Sequence, residues 1–143
     1  MIPIKPSDAI WTDEQWNAIY DKGHNIIVSA GAGSGKTAVL SERVIENLKS
    51  GMSIKEVLLL TFTKAASLEM KTRIRNKIKK NPSLSKELSL IDEAYITTFD
   101  SFALSIVKKY HYILNISPNV SIIDGSLIRI KKKEILTLSL IHI

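Results

Sequence analysis

Cysteine is missing from all 143 residues. That removes disulfide frameworks, thiolate nucleophiles and zinc–thiolate sites together, and it fits a reducing compartment. Any metal must rest on oxygen or imidazole ligands. Long apolar runs are missing too. The longest are Val57 to Leu60 and the broken stretch Ile135 to Ile143, well short of the roughly 20 residues a membrane-crossing helix needs. An export signal needs a basic start and then an apolar block; the chain instead opens with Asp8, Asp13, Glu14 and two tryptophans, so a cytoplasmic protein is predicted. With 45% hydrophobic and 24% charged residues, disordered and collagen-like classes are excluded and a core for one domain is expected. The net charge of +6 agrees with a polyanionic partner without requiring one.

Several segments carry their own local instructions. Thr12-Asp-Glu-Gln15 has the capping-box form, with Trp11 and Trp16 at the positions of a hydrophobic staple, so a helix is expected from Thr12 to about Lys22, ended by Gly23. His24 to Ser29, with Ile26-Ile27-Val28 at its centre, reads as a short buried strand. Lys36 to Lys49 has the spacing of a helix. Ser53 to Glu56 repeats the capping-box spacing before a second apolar strand, Val57 to Phe62, expected to be buried like the first.

From Lys64 the residues Ala66, Met70, Ile74 and Ile78 recur every four positions between basic residues, giving a helix with a basic face that Asn81-Pro82 stops. A short helix through Leu84, Leu88 and Ile91 leads to a third strand, Ala94 to Thr98, and a helix from about Ser101 to Tyr110 with Asp100 as its N-cap. Strands alternating with helices predict an α/β fold with a parallel sheet and flanking helices. Further on, Val120 to Ile123 suits a strand, Asp124-Gly125 a turn and Ser126 to Lys133 a basic amphipathic segment. The uncharged ending Leu136 to Ile143 predicts a chain cut short; a final strand docked on the sheet edge is the alternative.

Ala30-Gly31-Ala32-Gly33-Ser34-Gly35-Lys36-Thr37 has the spacing of a phosphate-binding loop, with Ala30 where the first glycine usually stands. The glycines let successive backbone N–H groups turn inward as an anion nest, and the following helix adds the positive end of its dipole. Lys36 suits the β- and γ-phosphates and the Thr37 hydroxyl suits Mg²⁺, so ATP with Mg²⁺ is the expected ligand pair, and Lys36 and Thr37 are the expected catalytic residues. Hydrolysis also needs an acid at the end of a strand. Asp92-Glu93 precede a strand, and therefore read as loop carboxylates.

Gln15, the loop from Ala30 to Thr37, Thr61-Phe-Thr-Lys-Ala-Ala66 with Glu69-Met70-Lys71 and Arg73-Ile74, and Thr97-Thr-Phe-Asp-Ser-Phe102 resemble, in order, the first motifs of superfamily 1 DNA helicases of the UvrD type. Within that family the opening Trp11 to Ile19 and the segment through Lys108-Lys109-Tyr110 are similar to the N-terminal end of the A-type subunits of ATP-dependent helicase/nuclease complexes. The resemblance, which runs to about Ile123, implies a RecA-like P-loop NTPase fold, here the incomplete first motor domain over residues 1–143; residues 135–143 read as an atypical tail by composition. It implies an ATP-hydrolysing enzyme that unwinds and processes double-strand DNA ends for recombinational repair by 3′-to-5′ translocation, with exonuclease activity in the complete protein and a B-type partner subunit.

By the same resemblance Gln15 contacts adenine, in competition with its capping-box role. Phe62 stacks on single-stranded DNA bases, unless it ends a buried strand as a core residue. Thr61, Thr63, Thr98 and Ser101 donate to DNA phosphates, or serve as strand ends and caps. Two alternatives stay open: a UvrD/Rep-type repair helicase without a nuclease, and a nucleotide-binding fragment with no turnover, because the family's later motifs are absent from this sequence.

Overall fold

The computed structural model describes residues 2–123 and 125–141, the last two by backbone alone. The chain forms two compact units, 1–99 and 100–143. In the first, helix α1 (Asp13–Tyr20) begins on Thr12 with both arms of the capping box made. It ends earlier than expected: Asp21 is already extended, so Gly23, at φ +91°, bends the chain beyond the helix instead of capping it. Trp16 donates from Nε1 to the Pro3 carbonyl at 2.9 Å and packs at a tilt on Tyr20, one helical turn on.

Helix α2 (Lys36–Lys49) has the expected bounds. The Ser53–Glu56 box caps a single 3-10 turn, with Glu56 accepting from the Ser53 amide at 2.8 Å. Strand β1 (Leu58–Thr61), helix α3 (Lys64–Lys79), a 3-10 turn at Pro82–Leu84, helix α4 (Ser85–Leu90) and strand β2 (Tyr95–Thr98) follow. The two strands pair in parallel, Leu58 opposite Tyr95 through Thr61 opposite Thr98; such a pair needs a crossover, which the helical segment between them provides. Leu59 and Ile96, neighbours in the register, sink into a core with Val44, Ile45 and Leu48 of α2 and Met70, Ile74 and Ile78 of α3.

Two expectations fail here. The apolar run of β1 reads as a strand buried on both faces, but Leu58, Leu60 and Tyr95 are exposed, so only one sheet face is covered among the described residues. And residues 24–29 form no strand: Ile27 is 96% exposed. A β-branched run becomes a strand only when a neighbour takes up its amides and carbonyls, and among the described residues none does. The sheet therefore has two strands where three were expected.

Helix α5 (Phe99–Lys109), all but its first residue, and helix α6 (Gly125–Ile141) belong to the second unit. Because α5 starts at Phe99, Asp100 lies inside its first turn and is not its N-cap; its charge there suits the positive helix end. Val120 to Ile123 is not a strand, and Gly125 opens α6 instead of a turn. The alternative of a final docked strand fails through Ile141, where the chain is helical; Asp124, His142 and Ile143 lie outside the described residues. Arg129 to Leu136 is rich in residues that favour helix. No described side chain beyond Thr98 is buried.

Candidate functional site

The loop from Ala30 to Gly35 owes its shape to two glycines. Gly33 and Gly35 have φ of +79° and +81°, a region that disfavours side chains, and Gly35 is the N-cap of α2. Helices α1 and α3 start on capping threonines, Thr12 and Thr63, whereas no side chain caps α2 and its first turn holds no acid. An uncapped helix start leaves backbone N–H groups and the positive dipole end for an external anion. Lys36 lies across the loop, its ammonium held by the carbonyls of Ala30, at 2.6 Å, and Gly31. The Ser34 hydroxyl donates to the Gly31 carbonyl at 2.8 Å, tightening the same turn. Thr37, next along α2, is exposed. Ala30, Gly31, Ala32, Gly33, Ser34, Lys36 and Thr37 are all exposed, so the loop is open to solvent.

Gln15 joins α1 to this loop. Its amide oxygen accepts from the Thr12 backbone at 3.0 Å, completing the capping box, while its NH₂ donates to the Ser34 carbonyl at 3.1 Å. The capping role thus uses one end of the amide and leaves the other on the glycine loop. Beside it a cleft of about 580 Å³ is lined by Glu14, Gln15, Val28, Lys36, Val39 and Arg43 among others. Arg43 was not singled out in the sequence. It donates to the Ala18 carbonyl at 2.7 Å and the Ile19 carbonyl at 3.4 Å, tying α2 to the end of α1; no local spacing marks an arginine whose partners lie 24 and 25 residues away. The Glu14 carboxyl is held below its usual range by its own backbone amide and the Thr12 hydroxyl.

A second groove, of about 430 Å³, joins Lys36 and Thr37 to the end of β1, with Thr61, Phe62, Thr63 and Glu69 on its wall. Phe62 is 103% exposed, which overturns the core reading of this side chain. Thr61 donates its hydroxyl to the Thr63 carbonyl at 3.0 Å, so its proton is already placed. The Thr63 hydroxyl accepts from the Ala66 amide at 3.1 Å and keeps its own proton for another acceptor. Thr98 is 7% exposed at the end of β2. Ser101, in the other unit, is half-buried in the first turn of α5.

The basic face of α3 is largely paired within the chain. Lys77 meets Glu42 of α2, Arg73 meets Glu69, and Lys71 and Arg75 both grip Asp92, at 3.0 and 2.6 Å. Asp92 is held below the usual carboxylate range, first by the Lys71 hydrogen bond and then by Arg75. The pair of cations accounts for this acid as an ionic clamp between α3 and the turn before β2. Among the described residues no group of three or more His, Asp or Glu gathers as a metal site, and no helix is long and apolar enough to cross a membrane.

A family model described as the UvrD/REP helicase N-terminal domain matches residues 11–141. The A-type subunit of the ATP-dependent helicase/nuclease of Lysinibacillus sphaericus is 44% identical over 144 residues, covering 94% of this chain. Its counterparts in Anoxybacillus flavithermus and Listeria innocua are 42% and 44% identical, covering 95% and 86% of this chain. The chain spans only 11–12% of the length of these relatives.

Proposed function

Because this chain belongs to the family of UvrD/REP helicase N-terminal domains, we propose that it is the nucleotide-binding part of a DNA helicase motor within an ATP-dependent helicase/nuclease. The observation that carries this reading is the uncapped start of α2 on left-handed Gly35, with Lys36 and Thr37 following at once. Ala30 to Gly35 and the first turn of α2 take the triphosphate of ATP on backbone amides, Lys36 exchanges its two carbonyl partners for phosphate oxygens, and Thr37 offers its hydroxyl to Mg²⁺. Bound ATP with Mg²⁺ supplies the phosphoanhydride whose hydrolysis drives movement along DNA. Gln15, already on the Ser34 carbonyl, orients the loop and faces the cleft where a base would lie.

In this reading the two strands belong to a RecA-like parallel sheet, with 24–29 supplying a further strand in a longer protein. Phe62 offers a ring to stacked bases of single-stranded DNA, which suits a motor because every base has a π-face; Thr63 donates to a phosphate, and Thr61, Thr98 and Ser101 complete the DNA set with smaller shares. The longer protein translocates 3′ to 5′, resects double-strand ends for recombinational repair with its nuclease, and works with a B-type partner. A second reading rests on Asp92: with Lys71 and Arg75 occupying it, this chain by itself binds nucleotide without turning it over.

The deciding experiment is titration of the chain with a fluorescent ATP analogue and Mg²⁺. Saturable binding is expected, and Lys36→Ala should weaken it about 30-fold or more, the scale of a lost charge-assisted contact. Undiminished binding by Lys36→Ala overturns the reading.

A further inference from the structure

Between Ser101 and Ile123 there is no acidic side chain, while Lys108, Lys109, Tyr110, His111 and Tyr112 stand in a row at the end of α5. The turn that presents them is ordered. The amides of Ile113, Leu114 and Ile116 donate to the carbonyls of Tyr110 and His111 at 3.0 to 3.2 Å. The His111 ring bonds the Ile116 carbonyl at 3.1 Å through Nδ1, and Asn115 closes the turn at φ +51°. On this frame the Lys109 ammonium lies 5.4 Å from the centre of the Tyr110 ring, and the His111 and Tyr112 rings meet edge to face at 6.0 Å. Tyr112 is 63% exposed and Tyr110 also reaches solvent.

Helix-dipole complementarity accounts for lysines at the end of α5. It does not account for two exposed tyrosines beside them. Cations alone would suit any anionic surface; cations directly followed by open aromatic rings suit a ligand that carries phosphates and flat bases together. Duplex DNA hides its bases in the stack, so the rings favour a single strand. We infer that this turn is a second contact for single-stranded DNA, in which Tyr110 and Tyr112 stack on bases and Lys108 and Lys109 take the adjoining phosphates. The inference rests on the proposed DNA-motor reading but on none of the residues that carry it.

The test is ultraviolet crosslinking of the whole chain to oligo-dT, with adducts mapped by mass spectrometry, together with affinity measured against salt. Adducts are expected on the peptide holding Tyr110 and Tyr112. The double change Tyr110→Ala and Tyr112→Ala should weaken binding about tenfold or more, whereas Tyr110→Phe and Tyr112→Phe, which keep the rings, should bind normally. Lys108→Gln with Lys109→Gln should lower the slope of log affinity against log salt by about 1.4, the value for two phosphates of a single strand. Adducts at Phe62 with none at Tyr110 or Tyr112, and an unchanged affinity in the alanine pair, overturn the inference and leave the motor reading standing. Loss of binding to phosphatidylglycerol vesicles in the alanine pair, with DNA affinity intact, also overturns it by assigning the turn to a membrane surface. No binding of oligo-dT by the unchanged chain overturns both readings.

Discussion

Helices α3 and α6 are close in length, yet they live in opposite circumstances. Every fourth residue of α3, Met70, Ile74 and Ile78, is buried against α2 and the sheet, while Leu127, Ile128, Ile130, Ile135, Leu136 and Leu138 of α6 are all exposed. Apolar content did not decide this. Apart from exposed Leu68, the large apolar residues of α3 fall on one stripe that α2 and the sheet cover, whereas those of α6 are spread around its axis between four cations, Arg129, Lys131, Lys132 and Lys133. The lesson is that periodicity builds a helix, but only a matching apolar surface makes that helix part of a core.

The comparison breaks most sharply on one side chain. Ile74→Ala, at a residue with no exposed surface, should lower the stability of the first unit by about 2–5 kcal/mol, while Ile135→Ala on α6 should change it by no more than about 0.5 kcal/mol. Urea denaturation of both variants checks this, and equal losses would mean that α6 is as deeply packed as α3. A smaller effect is expected at the caps that start the first unit's helices. Thr12→Ala removes the hydroxyl that accepts from the Gln15 amide and should cost about 1 kcal/mol. Because the same box holds Gln15 against Ser34, nucleotide affinity in that variant should fall too.

The smallest effect concerns charge. The Asp92 pKa is lowered in the folded chain, so its contribution is complete above the ordinary carboxylate value and is lost as pH falls through the lowered one. Asp92 is exposed, so the effect is modest and screened by salt. Asp92→Asn should flatten the decline of melting temperature below about pH 4. An unchanged decline would show that the clamp of Lys71 and Arg75 adds nothing to the first unit.

Much of this was legible in the residues themselves. The bounds of α2, the periodic face of α3 and both capping boxes depend on groups three or four positions apart, so a short window of sequence contains every partner they need. The glycine loop running straight into α2 was legible for the same reason, since its glycines, lysine and following helix are contiguous. The segment Ile26-Ile27-Val28 was misread because its partners are not contiguous: composition announced a strand, and among the described residues no ladder accepts it. Phe62 shows the converse, an apolar residue at the end of a strand that faces only solvent.

Sequence by itself therefore determined both capping boxes, the bounds of α2 and the buried stripe of α3, because those outcomes rest on contacts within one or two helical turns. Only the tertiary structure decided that the sheet has one covered face, that Gln15 serves a cap and a loop with the two ends of one amide, and that Asp92 is held by Lys71 and Arg75. Each of these depends on groups brought together from distant parts of the chain, and a carboxylate or an amide carries no mark in the sequence of which distant partner it will meet.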